Sequence, residues 1–531
     1  MDKLASHGLQ SARLMMQAME KLYDKGHTDY WLPPLVLVDR HGSVGRVRSG
    51  DSLIFCCRRG EREIQLTRAF VEKEFAEFPR ERLDPLTFVP LTLYHPNFHH
   101  LPVAFPPQHV QETLGEVVSR HGLAQLRLAE KEKHPHVTYF FNGGRAEPFP
   151  GEVDRCVDSF LEDPPEALPL LVGVLEEEFD AQDYSFVLLN LATGDLMGHS
   201  RKIEPKIHCA EAVDQALQAI LDLAREHNYW VAITADHGLL EDHGPPAGPP
   251  NDSHTVHAVP FTIVDPKGES PQFTPEGILG DVAPTLLTLL NLPRPSAMSG
   301  RSLLQTEGGK AAKVLLIILD GWGIGEPGHL NPIELADTPC WDAISRRPMA
   351  HLGASGQAVG LLPGFRGNSE SGHMNLGAGR IVLQDDVRIQ QAIDSGTFAE
   401  NASFNRAIED ARHRGGALHL LGFLSQKSSH GSINYVLELL KLAHRKEFEQ
   451  VYIHLITSGP HLITEGRSTL PDCASNLLQR ASEEIARIGV GTVVTVVGRG
   501  LALDRGGDYE TKTRLVYEAL VLGEGIEVLL T

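Results

Sequence analysis

The chain is 531 residues long, too many for one hydrophobic core, so two domains are expected and three at most. Its composition is that of an ordinary globular protein, with 42% hydrophobic and 22% charged residues, and no apolar run approaches the roughly 18 residues of a membrane span. A formal net charge of −21 disfavours general nucleic-acid or anionic-membrane binding, but leaves room for a small anionic substrate held by a local basic cluster.

Residues 1–26 carry Leu9, Ala12, Met16, Met19 and Tyr23 at helical spacing, which predicts an amphipathic helix. Asp2 and Glu20 argue against a transit peptide, and there is no apolar signal core. The six cysteines are scattered without a CxxC pair, so neither a disulfide framework nor a zinc knuckle is indicated, and a reducing cytoplasm fits. Leu35–Val38 and Leu53–Cys57 read as strands and Leu66–Phe78 as a helix. A loop rich in proline and histidine, Tyr94 to Pro107, reads as a hinge; His99 and His100 within it read as exposed loop residues before they read as metal ligands. Beyond it, Val110–Gly122 is expected to be helical and Val137–Phe141 to be a strand. Phe186–Leu191, Val231–Thr234 and Val259–Val264 are further strands, with helices at Glu211–His227 and Gly277–Leu290. Residues 305–312 form a short polar linker, followed by the apolar run Val314–Leu319. Strand and helix then alternate through Ala417–Gly422, Ser432–His444, Val451–Ile456, Cys473–Ile488, Thr492–Val497 and Thr513–Leu520. The alternation is that of an α/β protein with a mainly parallel sheet, and no internal repeat interrupts it.

Three of these strands run into aspartate: Asp195, Asp236 and Asp320. Ligands of open α/β sheets sit outside the carboxyl ends of the strands, and three acids gathered there repel one another unless cations neutralise them. His199, His237 and His254 add imidazole to the set, and carboxylate with imidazole suits zinc or manganese better than calcium. Ser369 lies in Gly367-Asn368-Ser369-Glu370-Ser371-Gly372-His373, where a tight turn can push a hydroxyl into the open. Such a segment is by default only a turn. Combined with a two-metal site, it reads as a covalent nucleophile for phosphoryl or sulfuryl transfer. Arg58, Arg59, Arg62, Arg499, Arg505 and Lys133 can bind phosphate, though dispersed basic residues are ordinarily solvated surface. His430 reads equally as a ligand-facing imidazole and as a loop histidine.

On these motifs the chain resembles the cofactor-independent (2,3-bisphosphoglycerate-independent) phosphoglycerate mutase family of the alkaline phosphatase superfamily. The resemblance covers nearly the whole chain in a rotated order. The family opens with a stretch like Val314–Gly323 and the Gly-Asn-Ser-Glu turn, and ends with Asp-x-x-Gly-His, Thr-Ala-Asp-His-Gly and His-Thr segments, which here come first. The order reads as a circular permutation joined at 305–312, the alternative being an artefact of assembly. About eight extended residues reach at most ~27 Å, enough to join neighbouring termini.

The resemblance implies two α/β domains: an alkaline-phosphatase-like domain with a mainly parallel sheet at 108–384, and a smaller transferase domain split between 1–107 and 385–531. It implies one manganese held by Asp195, His199 and His254, and another by Asp320, Ser369, Asp236 and His237, with zinc, cobalt or magnesium as alternatives. Arg59, Arg62, Arg499, Arg505, His430 and Lys133 match the substrate set. The implied activity is interconversion of 3- and 2-phosphoglycerate through a phosphoserine at Ser369, by a cytoplasmic monomer. The departures fall on the transferase side. Ser458-Gly459-Pro460-His461 stands where the family has Asp-Gly-Arg-Asp, Gln426-Lys427 where it has Asp-Gly, and Gly500-Leu501 where it has an aromatic pair. Arg467 or Lys427 could restore the lost charge. Two alternatives follow: a metal-dependent phosphatase acting on a small phosphate ester, and a binding homologue with impaired catalysis.

Overall fold

The computed structural model describes residues 2–58, 60–245, 248–305, 313–328, 330–426, 430–457 and 473–530. The linker residues 306–312, Arg59, Lys427, the substituted loop 458–461 and Arg467 lie outside them. The chain divides into two compact units, one of residues 108–387 and one of the residues up to Pro107 with those from Arg388 onward.

In the unit of residues 108–387, eight described strands form one sheet in the order Glu276–Ile278, Ala350–Gly353, Val259–Val264, Trp230–Thr234, Val314–Leu319, Phe186–Leu191, Gln125–Glu130, Glu152–Val157. Only Val259–Val264 runs antiparallel, to both of its neighbours. The run Val-Leu-Leu-Ile-Ile-Leu at 314–319 is buried at every position, as a central parallel strand covered by helices on both faces must be. It pairs on either side with Phe186–Leu191 and Trp230–Thr234, placing Ile317 opposite both Leu189 and Ile233. That common register brings the carboxyl ends of three strands level with one another.

Val137–Phe141 is not a strand. Residues His136–Phe140 form a π-helical turn in which only Val137 is buried. A short apolar run cannot be assigned by periodicity alone, and here the Thr138 hydroxyl donates to the His134 carbonyl at 2.7 Å, holding the helical path. The strand in this region lies upstream at Gln125–Glu130, a segment whose polar residues hid it. Arg127 is fully buried, donates to Gln125 Oε1 at 2.7 Å and Glu152 Oε2 at 3.3 Å, and stands over the rings of Phe141 and Phe186. The helix expected over Val110–Gly122 is Leu114–Arg120, capped by Thr113. The one expected over Gly277–Leu290 is Val282–Leu289, preceded by the strand Glu276–Ile278.

The other unit carries a second mainly parallel sheet in the order Ile526–Leu529, Leu35–Asp39, Thr492–Gly498, Val451–Thr457, Leu418–Leu424, Ser52–Cys56, Thr87–Pro90, with Gly42–Ser43 hairpinned onto Leu35–Asp39. Its central strands are also buried at nearly every position. The helix expected over Leu66–Phe78 starts earlier and ends earlier, at Gly60–Val71. His99 and His100 are exposed, their Nδ1 atoms set against the Pro96 and Asn97 carbonyls. That is the loop arrangement expected of them.

Candidate metal centre

Asp320 follows Val314–Leu319 directly, and Asp236 and His237 follow Trp230–Thr234. Asp195 sits in the first turn of Thr193–Gly198, the short helix after Phe186–Leu191, and His199 caps that helix. The backbones here approach so closely that a Cβ on Gly194 would lie 2.4 Å from the Asp320 carbonyl oxygen.

Ser369 is not in an open turn. It is buried, 5% exposed, as the first residue of the helix Ser369–Ala378. Asn368 caps that helix by accepting from the Ser371 N–H at 2.8 Å. The hydroxyl therefore stands at a helix N-terminus, where developing negative charge is favoured. Lys133 Nζ donates to Ser369 Oγ at 2.7 Å, His237 Nε2 lies 3.1 Å from it, and Asp320 Oδ1 accepts at 3.5 Å. Gly372, one turn into the helix, allows the approach, since a Cβ there would meet Asp236 atoms at 2.6–2.7 Å.

Two sets of potential ligand atoms lie close together: those of Asp195, His237 and His254, and those of Asp236, Asp320 and His373, each set within 4.8 Å. His237 Nε2 stands between them, 3.7 Å from Asp195 and 3.6 Å from both Asp236 and Asp320. His254 Nε2 is 3.2 Å and His199 Nε2 3.5 Å from Asp195 Oδ1. Lys133 joins the groups, with Asp195 at 2.7 Å and Asp320 at 3.0 Å.

The donor set fits divalent cations. His199 and His254 turn Nδ1 to backbone carbonyls, those of Asp252 at 2.7 Å and Gly367 at 2.8 Å, which leaves each Nε2 facing Asp195. Asp195 Oδ1 and Asp236 Oδ2 are buried and receive no hydrogen bond of good geometry. The electrostatics agree. Burial, then repulsion by Asp236, pushes Asp320 up to about 7 against the pull of Lys133. For Asp195 and Asp236 burial acts in the same sense, but Lys133 and the histidines outweigh it and hold both below the usual carboxylate range. Burial drives His237 down to about 4, so it offers a neutral ring. Burial would also lower Lys133, but the three aspartates raise it and keep it charged.

Three residues here escaped the sequence reading. His373 lies in the motif around Ser369, four residues further along the same helix and so on the same face. Its Nδ1 donates to the Ser369 carbonyl at 3.0 Å and stands 3.3 Å from Asp236 Oδ2. Its Nε2 accepts from Asn190 at 3.1 Å. Asn190 also donates to Asp320 Oδ2 at 2.9 Å, and a lone amide in the apolar strand Phe186–Leu191 was the signal that could have found it. Glu130, at the end of its strand, is buried and pushed up to about 7 by burial and then by Asp320; no motif marks it.

Arg62, Arg499, Arg505 and His430 belong to the other unit. There Arg62 reaches the Leu503 carbonyl at 3.4 Å and lies 4.0 Å from Glu61, and Arg505 meets Glu61 at 3.3 Å. Arg499 is buried at the end of Thr492–Gly498, whereas Arg505 is exposed. His430 is buried 5.3 Å from the Phe423 ring, centre to centre, and 4.0 Å from Glu63.

The chain belongs to the Metalloenzyme superfamily, whose pattern it matches over residues 2–294. Residues 389–529 match a second family, described as the BPG-independent PGAM N-terminus. Among curated relatives, it is 40% identical over 301 residues to a 2,3-bisphosphoglycerate-independent phosphoglycerate mutase of Salinibacter ruber, covering 55% of this chain and 57% of that one. To the protein of the same name from Moorella thermoacetica it is 40% identical over 296 residues, covering 54% and 56%. The chain thus spans about half the length of the curated relatives it matches. A solved phosphoglycerate mutase of Leishmania mexicana, at low cobalt concentration, overlaps 51% of this chain and 53% of its own at 26% identity, with a TM-score of 0.41. No described helix is long and apolar enough to cross a membrane.

Proposed function

We propose that the chain interconverts 3- and 2-phosphoglycerate through a phosphoserine at Ser369. The observation that carries this is the setting of the Ser369 hydroxyl: at a helix N-terminus, 2.7 Å from Lys133 and beside two clusters of carboxylate and imidazole. Asp195, His199 and His254 would hold one divalent ion, and Asp320, Asp236, His237 and Ser369 the other, with His373 and Asn190 supporting the second set. Such ions, manganese first, lower the pKa of a hydroxyl and neutralise phosphoryl oxygens.

Ser369 Oγ attacks phosphorus in line and forms the new O–P bond as the C3 oxygen of the substrate departs, the serine proton ending on that departing oxygen. Lys133 donates to the oxygens that gain charge. Glycerate then reorients and attacks the phosphoserine through its 2-hydroxyl, which regenerates Ser369. Arg59, Arg62, Arg499, Arg505 and His430 bind the glycerate and phosphate groups bidentately or by hydrogen bond. The reaction moves one phosphoryl group and consumes no water, so water must be excluded while phosphoserine exists.

The relatives' shared name supports this reading, as does the position of the match to the family's N-terminal segment. That segment occupies the last part of this chain, as a permuted order requires. The same reading makes residues 108–384 the phosphatase-like domain and the remainder the transferase-like one, in a cytoplasmic monomer.

A phosphorus NMR time course with 3-phosphoglycerate and manganese, with Ser369→Ala alongside, tests the proposal. Appearance of 2-phosphoglycerate without free phosphate, abolished by the substitution, is the expected result. Free phosphate without the isomer would overturn the mutase in favour of the phosphatase that Pro460 and His461 suggest.

A further inference from the structure

Glu241 follows Asp236-His237-Gly238 by three residues and is buried, with 2% of its surface exposed. It is not among the candidate ligands. Its carboxylate gathers donors from three turns instead. Oε2 accepts from the Leu239 N–H at 2.7 Å and from the Gly323 N–H at 3.1 Å. Oε1 accepts from the Thr255 hydroxyl at 2.5 Å and lies 2.9 Å from His257 Nδ1. A carboxylate oxygen can only accept, so His257 offers it the Nδ1 proton. Burial pushes the Glu241 carboxyl up, but the hydrogen bonds from His257 and Thr255 outweigh it and hold it below its ordinary value.

Three of these donors sit close to a candidate ligand in the chain. Leu239 lies two residues after His237, Gly323 three after Asp320, and Thr255 directly after His254. Asp236 and Asp320 belong to one ligand set, and His237 and His254 to the other. Backbone bonds draw the same turns together. The Leu240 N–H donates to the Gly321 carbonyl at 2.9 Å, and the Thr255 N–H to the Gly238 carbonyl at 2.8 Å. The carboxylate fills the space left between them. A Cβ on Gly323 would lie 2.4–2.5 Å from its atoms, and one on Gly238 would lie 2.5 Å from Oε1. Glycine at both positions lets the turns close on Glu241.

We propose that Glu241 is a positioning residue for the metal centre, a single buried acceptor that fixes the turns carrying Asp236, His237, Asp320 and His254 relative to one another. The turns after Trp230–Thr234 and Val314–Leu319 and the His254 segment all donate to it, so moving any one of them displaces ligands of both sets. A buried carboxylate without donors is costly, and this one is held by its four donors as firmly as it holds them. The inference rests on the reading of these clusters as a divalent-metal centre, and it gives Glu241 no contact with metal or substrate.

Manganese titration of the metal-free, full-length protein, followed by the electron paramagnetic resonance signal of the free ion, tests it beside thermal melts in chelator. Glu241→Ala is expected to weaken manganese binding about tenfold to a hundredfold. Glu241→Gln keeps one oxygen for the two backbone N–H groups and is expected to lose about threefold to tenfold. Leu175→Ala opens a cavity under the helix Ala167–Ala181, which packs on Ile203–Glu226 and the strands Gln125–Glu130 and Glu152–Val157. It should lower the melting temperature but leave manganese affinity within about twofold. The visible spectrum of the cobalt-loaded protein reports ligand geometry, and should change in Glu241→Ala but not in Leu175→Ala. Wild-type affinity and spectrum in the Glu241 variants overturn the role. So does a Leu175→Ala protein that loses as much affinity as Glu241→Ala, or a glutamine variant no better than the alanine one. Should Glu241→Ala fail to fold, Glu241→Gln decides, and wild-type affinity there overturns the role. A wild-type protein that binds neither manganese nor cobalt overturns the metal centre and this role with it, whereas unchanged binding in the variants leaves the metal centre standing.

Discussion

At the scale of single residues, the site depends on charges that cancel only in company. Lys133 touches Asp195, Asp320 and Ser369 together. Lys133→Met would leave those carboxylates without their cation and remove a donor from the reacting oxygens. The proposed turnover of 3-phosphoglycerate should fall about a hundredfold to a thousandfold, measured as kcat/KM at a saturating divalent cation such as manganese. His373 and Asn190 touch the candidate ligands Asp236 and Asp320. His373→Ala or Asn190→Ala should weaken manganese binding by about tenfold to a hundredfold, read by calorimetry. An unchanged affinity in both would remove them from the support of the site.

At the scale of elements, two glycines give opposite expectations. A Cβ on Gly377 would fall 1.9 Å from the Phe141 carbonyl oxygen, because the helix that begins with Ser369 packs directly on the π-helical turn. Gly377→Ala should cost about 1–3 kcal/mol or more and lower the thermal midpoint. Gly173, inside the helix Ala167–Ala181, has nothing within 4 Å of its Cβ position. Gly173→Ala should stabilise by about 0.5–1 kcal/mol. In the other sheet, three strands share a buried chain of polar groups. Asp51 accepts from His419 at 3.1 Å, His419 meets His454 at 2.9 Å, and His454 meets the Thr495 hydroxyl at 2.7 Å. Burial lowers both histidines below their ordinary value, so the folded state binds fewer protons than the unfolded chain below pH 6.5. Stability should therefore fall as pH drops below about 6.5, by up to ~1.4 kcal/mol per pH unit for each histidine. Denaturant titrations at pH 7.5 and 5.5 measure it, and His454→Gln should flatten the slope. The strands that lead to the three aspartates were readable because nearly all-apolar, β-branched-rich runs lie between helical segments there. Gln125–Glu130 was not, because a buried Arg127 breaks the pattern and bonds Gln125, Asn142, Glu152 and the Leu126 carbonyl, partners that sequence spacing does not reveal. Ser369 was singled out by its neighbours, but its place at a helix start depended on Asn368 acting as a cap, and with it went His373, one turn further on.

At the scale of the whole molecule, the candidate metal ligands all belong to residues 108–387. Metal bound only by the folded form stabilises it by mass action, about 2.7 kcal/mol at a hundred times the dissociation constant. Hydrogen exchange with and without manganese should show added protection concentrated in those residues, with chelator reversing it. Equal protection in the strands of the other unit would argue against a site confined to one of them.

The sheet order has a consequence for how the protein is made. Strand Val314–Leu319 sits between Phe186–Leu191 and Trp230–Thr234, yet it leaves the ribosome after both. At about 5–20 residues per second, the earlier strands wait several seconds or longer with one edge open, and open apolar edges invite pairing with other chains. The other unit waits longer still, since Leu35–Asp39, one of the first strands synthesised, pairs with Thr492–Gly498 and Ile526–Leu529, among the last. Vectorial synthesis therefore leaves both sheets unfinished through much of translation, so the nascent chain is a natural client for chaperones that bind extended apolar segments.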